Sequence, residues 1–103
     1  MLGVRKTVEN GAMTVAVKGE IDTISSIKLD REIGVVEGLK SVTLDMKEVS
    51  YITSAGIRVL LGVGKRMSPG ADLALVNLQP TVREIFRLCG LEDLIRWNEE
   101  GGR

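Results

Sequence analysis

Two adjacent hydroxyl side chains, Thr53 and Ser54, lie where an apolar, β-prone run ends and a strongly apolar helix is predicted to begin. A serine or threonine at such a junction caps the helix by accepting a hydrogen bond from a backbone N–H. The same hydroxyl can accept a phosphoryl group, which adds about −1.5 to −2 charges. Position alone favours the cap, but a single hydroxyl can serve both roles.

Other chemistry is poorly supported by the residues available. The chain has 0 histidines, which removes Ser-His and Cys-His pairs and imidazole ligands for zinc. Ile52, two residues before Ser54, breaks the Gly-x-Ser-x-Gly pattern of hydrolases. Gly64-Lys65 lacks the first glycine of a phosphate-binding loop, and Arg66 replaces its Ser/Thr. We therefore predict that the protein is not an enzyme and that it has no catalytic residue, no metal site and no cofactor.

The composition limits the classes of partner. A chain of 103 residues is expected to form a single domain, 1–103. Its 14 basic and 14 acidic residues balance, and 3% aromatic residues leave little to stack on bases, which argues against direct nucleic-acid binding. One cysteine cannot form an internal disulfide, and no apolar run is long enough for a membrane span. These features predict a cytoplasmic protein that does not associate with membranes.

Alternation of apolar and polar side chains predicts strands, because successive side chains of a strand face opposite sides of a sheet. The predicted strands are Val4–Val8, Met13–Lys18, Val42–Met46, Asp72–Asn77 and a short fifth at Ile95–Trp97. Glu9-Asn10-Gly11 between the first two has the turn chemistry of a β-hairpin. The polar residues 98–103 are expected to form a frayed tail.

Apolar residues three and four positions apart predict three helices between and after these strands. The helices are Thr23–Glu37, Ser54–Met67 and Pro80–Cys89. The resulting β-β-α-β-α-β-α order is typical of an α/β domain with a mixed four- to five-stranded sheet and helices packed on it. Leu29, Ile33 and Val36 are predicted to face the core, and so are Val82, Ile85, Phe86 and Cys89.

The first helix also has apolar residues that point away from its core face. Ile24 and Ile27 lie nearly opposite the predicted core stripe, and neighbouring exposed isoleucines indicate a small docking surface. Asp22, just before the helix, is predicted to cap it. Asp45 is interpreted as a solvated or turn-forming residue at a strand end, because Glu48 lies in a predicted loop with no reason to converge on it.

Two motifs then resemble a known family. Gly19-Glu20-Ile21-Asp22 follows the second predicted strand, and Leu44-Asp45-Met46-(x)4-Tyr51-Ile52-Thr53-Ser54-Ala55-Gly56-Ile57 includes the third. They are similar to Gly-Glu-Leu-Asp and Asp-Leu-(x)4-Phe-hydrophobic-Asp-Ser-Ser/Thr-Gly-Leu in the STAS domains of bacterial anti-sigma-factor antagonists. The resemblance runs from about Val4 to Trp97.

The resemblance implies a small STAS-type fold and a partner switch. The unmodified family member binds an anti-sigma factor, usually a serine kinase, and so frees a sigma factor for transcription. Phosphorylation of the serine matching Ser54 ends the binding, and a phosphatase restores it. The residues predicted to bind the partner surround that serine: Asp22, Thr23, Ile24, Ile27, Thr53, Ser54, Ala55 and Gly56.

Two positions depart from the family pattern. Thr53 replaces the usual acidic residue before the phosphoserine, and Ala55 replaces the Ser/Thr after it. Thr53 is thus a second, less favoured candidate for phosphorylation. The same departures keep an alternative open, in which the chain is a STAS module that never cycles phosphate and serves as a scaffold or as an accessory to a membrane transporter.

Overall fold

The structure, a computed structural model, describes residues 2–91 and the backbone of Arg96–Trp97. Its strands are β1 (Gly3–Glu9), β2 (Ala12–Ile21), β3 (Ser41–Ile52), β4 (Asp72–Val76) and β5 (Arg96–Trp97), and its helices are α1 (Thr23–Ile33), α2 (Ser54–Arg66) and α3 (Pro80–Leu88). The five strands form one sheet in the order β1-β2-β3-β4-β5. The predicted α/β class and element order are therefore confirmed. Ile95 and the tail 98–103, for which we made predictions, lie outside the described residues.

A tight hairpin begins the sheet. Glu9 pairs with Ala12, so that only Asn10 and Gly11 form the loop, and β1 and β2 are antiparallel. Asn10 has φ 53 and Gly11 has φ 82. Two successive positive φ angles match the type I′ turn that Asn-Gly sequences favour, and the turn twists in the same sense as the strands. The predicted hairpin is thus confirmed.

The remaining neighbours, β2 to β5, pair in parallel. Parallel neighbours need a crossover connection, which α1, α2 and α3 supply. Alternate residues of β2 and β3 are buried, including Val15 and Leu44, which are opposite each other in the parallel register. They belong to one apolar core with Leu29, Leu60 and Phe86 of the three helices. Among the described helices, none is long and apolar enough to span a membrane.

The third strand is longer than predicted. It continues past Met46 to Ile52, so Glu48 lies in a strand and not in a loop. The register between β2 and β3 shifts twice, between Ala16 and Lys18 and again after Gly19, which has φ 114. These irregularities change the alternation of buried residues in β3, so that a strict two-residue period no longer identifies the strand.

All three predicted helix ends differ from the structure, and the second helix stops at Arg66, one residue before the predicted Met67. The first helix stops at Ile33, because Gly34 turns the chain with φ 70, and Val36 reaches the core from the following loop. The third helix stops at Leu88.

The prediction that Cys89 is a core residue is wrong, because this side chain is exposed. Gly90, with φ 70, donates its N–H to the Arg87 carbonyl, and the next residue, Leu91, donates to the Phe86 carbonyl. This pair of bonds is a Schellman motif. Half-buried Leu91 packs against the core, whereas Cys89 does not.

The beginning of α2 lies unusually close to the sheet. A Cβ atom added at Gly56 would lie 2.6 Å from Ile21 Cγ2, 2.8 Å from Ile52 Cγ1 and 3.1 Å from the Ile21 carbonyl oxygen. No side chain larger than hydrogen fits there unless these buried isoleucine side chains move. At Gly62, two turns later, the nearest such atom is Arg66 Nη1 at 3.7 Å, an ordinary van der Waals contact.

These distances predict opposite effects for the same substitution in one helix. Gly56→Ala should lower the free energy of unfolding by about 1–3 kcal/mol, because it overpacks the contact between helix and sheet. Gly62→Ala should raise it by about 0.5–1 kcal/mol, because alanine favours a helix more than glycine does. Urea unfolding of both variants measures the difference. If the Gly56→Ala variant were as stable as the unmodified chain, the conclusion that position 56 has no space for a Cβ atom would be wrong.

Candidate functional site

Two helix N-termini lie side by side at the carboxyl edge of the sheet. Ile21 of β2 and Ile52 of β3 are neighbours in the parallel register, and each is the last residue of its strand. The next residues, Asp22 and Thr53, are the N-caps of α1 and α2. The Thr53 N–H donates to the Ile21 carbonyl oxygen at 2.9 Å, which joins the two junctions directly.

Asp22 caps α1 as predicted. Its Oδ1 accepts from the Ser25 N–H at 2.8 Å, and the Asp22 N–H donates to Ser25 Oγ at 2.8 Å. This reciprocal arrangement is a capping box. The hydrogen bond from the Ser25 backbone N–H lowers the pKa of Asp22 below its ordinary value. The exposed Asp22 side chain is therefore a carboxylate at neutral pH.

The cap of α2 is Thr53, not Ser54. Thr53 Oγ1 accepts from the Gly56 N–H at a long 3.4 Å, and it donates to the Ile21 carbonyl oxygen at 3.3 Å. Ser54 is the first residue of the helix, and it is exposed. Its hydroxyl forms no hydrogen bond with any residue that the structure describes. Of the two adjacent hydroxyls that could cap this helix, the structure therefore assigns the cap to Thr53.

The two isoleucines of α1 are exposed as predicted, Ile24 to 80% and Ile27 to 57%. The structure brings Ile27 into a groove between α1 and α2, together with Thr23 and Ala55. Ile24 lies on the exposed surface of α1 but does not line the groove. The predicted docking residues are therefore divided between the rim of the two helix N-termini and this groove.

Gly56 differs from the other predicted partner-binding residues. It is buried, and the close approach of Ile21 and Ile52 leaves no space beside it. Of the two interpretations of this glycine, contact with a partner and tight packing of helix on strand, the structure favours packing. We therefore leave Gly56 out of the docking surface.

The groove contains charged residues that sequence reasoning did not single out. Its volume is about 420 Å³, and Asp30, Arg58 and Arg66 are among its lining residues. Arg66 Nη2 lies 3.1 Å from Asp30 Oδ1, so one arginine is paired across the groove. The sequence did contain a signal for Arg58: it lies four residues after Ser54, and residues at this spacing lie on one face of a helix.

The Asp45 carboxylate is held by hydrogen bonds within the fold. Its Oδ1 accepts from Asn77 Nδ2 at 3.1 Å and from the Lys47 N–H at 3.1 Å, and it lies within β3 instead of at a strand end. The bond from Asn77 connects β3 to the residue that follows β4, whereas the bond from Lys47 lies within β3. Glu48 is opposite Lys18 of β2 in the register. Within residues 2–91, no group of three or more acidic or cysteine side chains is placed to hold a metal ion.

Comparison with known proteins identifies the family. Residues 4–100 match the STAS domain, and this chain therefore belongs to the STAS domain family. The candidate anti-sigma factor antagonist BtrV of Bordetella bronchiseptica is 33% identical over 84 residues, which cover 79% of this chain and 72% of BtrV. The resemblance inferred from the two motifs is thus confirmed.

Solved structures agree on the fold. An anti-sigma factor antagonist from Mycobacterium paratuberculosis superposes with a TM-score of 0.85 at 22% identity, covering 94% of this chain and 85% of that one. Unphosphorylated SpoIIAA, also an anti-sigma factor antagonist, gives 0.79 at 19% identity, covering 96% and 90%. The phosphorylated form of SpoIIAA, a cell fate determinant of Bacillus, gives 0.71 at 18% identity, covering 96% and 94%. At these identities the likeness establishes the fold alone.

The separation of cap and free hydroxyl predicts different stabilities for two neighbouring variants. Thr53→Ala removes the cap of α2 and should lower the free energy of unfolding by about 0.5–2 kcal/mol. Ser54→Ala removes an exposed hydroxyl without a described partner and should change it by less than about 0.5 kcal/mol. Urea denaturation of both variants provides the test. A larger loss for Ser54→Ala than for Thr53→Ala would assign the cap to Ser54 after all.

Proposed function

We propose that this chain is an anti-sigma factor antagonist whose choice of partner is controlled by phosphorylation of Ser54. In its unmodified form it binds an anti-sigma factor that is also a serine kinase, and a sigma factor is released for transcription in the cytoplasm. The observation that carries the proposal is the exposed Ser54 hydroxyl, unengaged by the described residues, at the start of the helix whose N-terminus neighbours the one capped by Asp22. The names of the relatives, and the existence of phosphorylated and unphosphorylated forms of SpoIIAA, support it.

In the proposed reaction this chain is the substrate and the kinase is the catalyst. Ser54 Oγ forms a bond to the γ-phosphorus of ATP, the bond from that phosphorus to the β–γ bridging oxygen breaks, and ADP leaves. The hydroxyl proton passes to a base of the kinase. A phosphatase later transfers the phosphoryl group to water and restores the hydroxyl. Among its described residues, this chain contributes only the acceptor and its positioning.

The location of Ser54 allows the charge to change without unfolding the domain. The first residue of a helix lies among free backbone N–H groups at the positive end of the helix dipole, where a phosphate is stabilised. The added charge of about −1.5 to −2 then faces the partner. Burial of an unpaired charge in an interface weakens binding, so the phosphate ends the complex while its carrier remains folded.

The proposed docking surface comprises the exposed or half-buried residues around the two helix N-termini: Asp22, Thr23, Ile24, Ile27, Thr53, Ser54 and Ala55. The two isoleucines provide apolar area, and Asp22 provides a fixed charge. Thr53 is the less suitable phosphate acceptor, because its hydroxyl already bonds to the Ile21 carbonyl and to the Gly56 N–H.

A second candidate function is a STAS module that binds partners without a phosphate cycle, as a scaffold or as an accessory to a membrane transporter. The observation in its favour is that Thr53 and Ala55 leave no acidic residue on either side of Ser54. The two candidates differ in whether the chain becomes phosphorylated. Incubation with ATP and a candidate anti-sigma serine kinase from the same genome, followed by intact-mass measurement, separates them.

For Ser54 we predict that charge, and not contact, ends binding. Ser54→Ala should stay unphosphorylated and bind the kinase as the unmodified chain does. Ser54→Asp should fold equally well, because the helix dipole favours a negative charge there, yet bind at least about tenfold more weakly. Calorimetric titration and melting curves on the same samples measure both properties. Equal affinity of all three proteins would rule out a switching role, and a phosphorylated Ser54→Ala would move the acceptor to Thr53.

Ile27 allows a test of the docking surface with a matched control. Ile27→Lys should lower affinity for the kinase more than about tenfold and change the melting temperature little, because the side chain is already 57% exposed. Val35→Lys makes the same chemical change at a residue that is 81% exposed in the loop after α1, and it should leave affinity unchanged. Similar losses for both variants would argue against a localised surface.

A further inference from the structure

Among the residues that the structure describes, the groove between α1 and α2 has one charge without a partner. Two arginines and one aspartate are among its lining residues, and Arg66 is already paired with Asp30 at 3.1 Å. The guanidinium of Arg58 forms no ion pair or hydrogen bond with any residue described by the structure. The part of the groove nearest the helix N-termini therefore combines the exposed apolar side chain of Ile27 with one unneutralised positive charge.

Helix geometry places this charge next to Ser54. The two residues are four positions apart in α2, which brings them onto one face of the helix with Cβ atoms about 5–6 Å apart. Side chains of a helix lean towards its N-terminus, so the long Arg58 side chain leans towards the Ser54 position. A guanidinium at this distance can donate hydrogen bonds to phosphate oxygens.

We propose that Arg58 is the residue through which phosphorylation of Ser54 changes the groove. While Ser54 carries a hydroxyl, Arg58 is available to a carboxylate of the partner that docks over Ile27. When Ser54 carries a phosphate, the phosphate engages the Arg58 guanidinium. Phosphorylation then does two things, because it adds negative charge and also engages the Arg58 guanidinium, the cation of the groove that has no partner among the described residues. This inference rests on the proposed function for the identity of the modified residue.

The partner segment that fits this groove is acidic beside an apolar anchor. Ile27 and Val59 provide apolar walls, and Gly62 and Ala55 leave space between the helices. With Arg66 neutralised by Asp30, the net charge on the groove is positive and comes from Arg58. A partner carboxylate placed next to an apolar side chain would complement both features.

The first test requires no kinase. Phosphoserine is incorporated at position 54 during translation, and phosphorus NMR measures the second pKa of the phosphate, which is ordinarily about 6. Because a nearby cation stabilises the dianion, Arg58→Gln should raise this pKa by about 0.2–0.4 pH units relative to the unsubstituted phosphoprotein. Arg58→Lys should retain most of the effect. Melting curves confirm that all the proteins are folded.

Lys65→Gln is the matched control, since it removes the same charge from the same helix. Lys65 does not line the groove, and eleven residues of helix place it about 16 Å along the axis from Ser54, beyond the Debye length of about 8 Å at physiological salt. In the Lys65→Gln variant, the second pKa of the phosphate on Ser54 should equal that in the unsubstituted phosphoprotein. An unchanged pKa in Arg58→Gln, or an equal rise in Lys65→Gln, would overturn the proposal.

The second test measures partner binding by the groove, with unphosphorylated proteins and the anti-sigma serine kinase that phosphorylates the unsubstituted chain. Arg58→Gln should weaken binding about five- to tenfold and reduce its dependence on salt, whereas Lys65→Gln should do neither. If the Arg58→Gln variant bound the kinase as tightly as the unsubstituted chain does, the proposed role of Arg58 in docking would be overturned. A kinase that binds neither variant nor the unsubstituted chain would refute the proposed function, while the phosphate titration would still decide the pairing with Arg58.

Discussion

The close contact between the first turn of α2 and the ends of β2 and β3 determines the rest of the site. Because Gly56 has no side chain, the helix can begin directly above Ile21 and Ile52. That position brings Thr53 within hydrogen-bond distance of the Ile21 carbonyl and makes Thr53 the cap. Ser54 is consequently the first helical residue, with a hydroxyl that the fold does not require. One hydroxyl stabilises the junction while its neighbour is available for chemistry, so a change at the second need not disturb the first.

Much of the fold could be predicted because its signals are local. Asn10-Gly11 predicts a two-residue hairpin, since few sequences tolerate two positive φ angles in succession. Asp22 predicts a helix start, because a carboxylate at that position bonds to the next free N–H groups. The exposure of Ile24 and Ile27 likewise followed from the period of the helix. In each case the chemistry that determines the structure lies within a few residues of the signal.

The features that could not be predicted depend on residues distant in sequence. Thr53 and Ser54 are equally good caps, and the choice between them is made by the Ile21 carbonyl of a neighbouring strand. The extension of β3 beyond its alternating part depends on irregular pairing with β2 near Gly19. Arg58 was overlooked for a similar reason, since its significance appears only when α1 lies beside it and Arg66 is found already paired.

The Schellman turn after α3 has a practical consequence for experiments on this protein. It exposes Cys89, the single cysteine of the sequence. The crossover helices run antiparallel to the parallel strands, so α3 begins at the carboxyl edge of the sheet, where α1 and α2 also begin, and ends towards the opposite edge. A single fluorophore can therefore be attached at the native thiol without engineering, at the edge opposite the proposed docking surface. The fluorescence anisotropy of a fluorophore at this thiol would follow complex formation in real time.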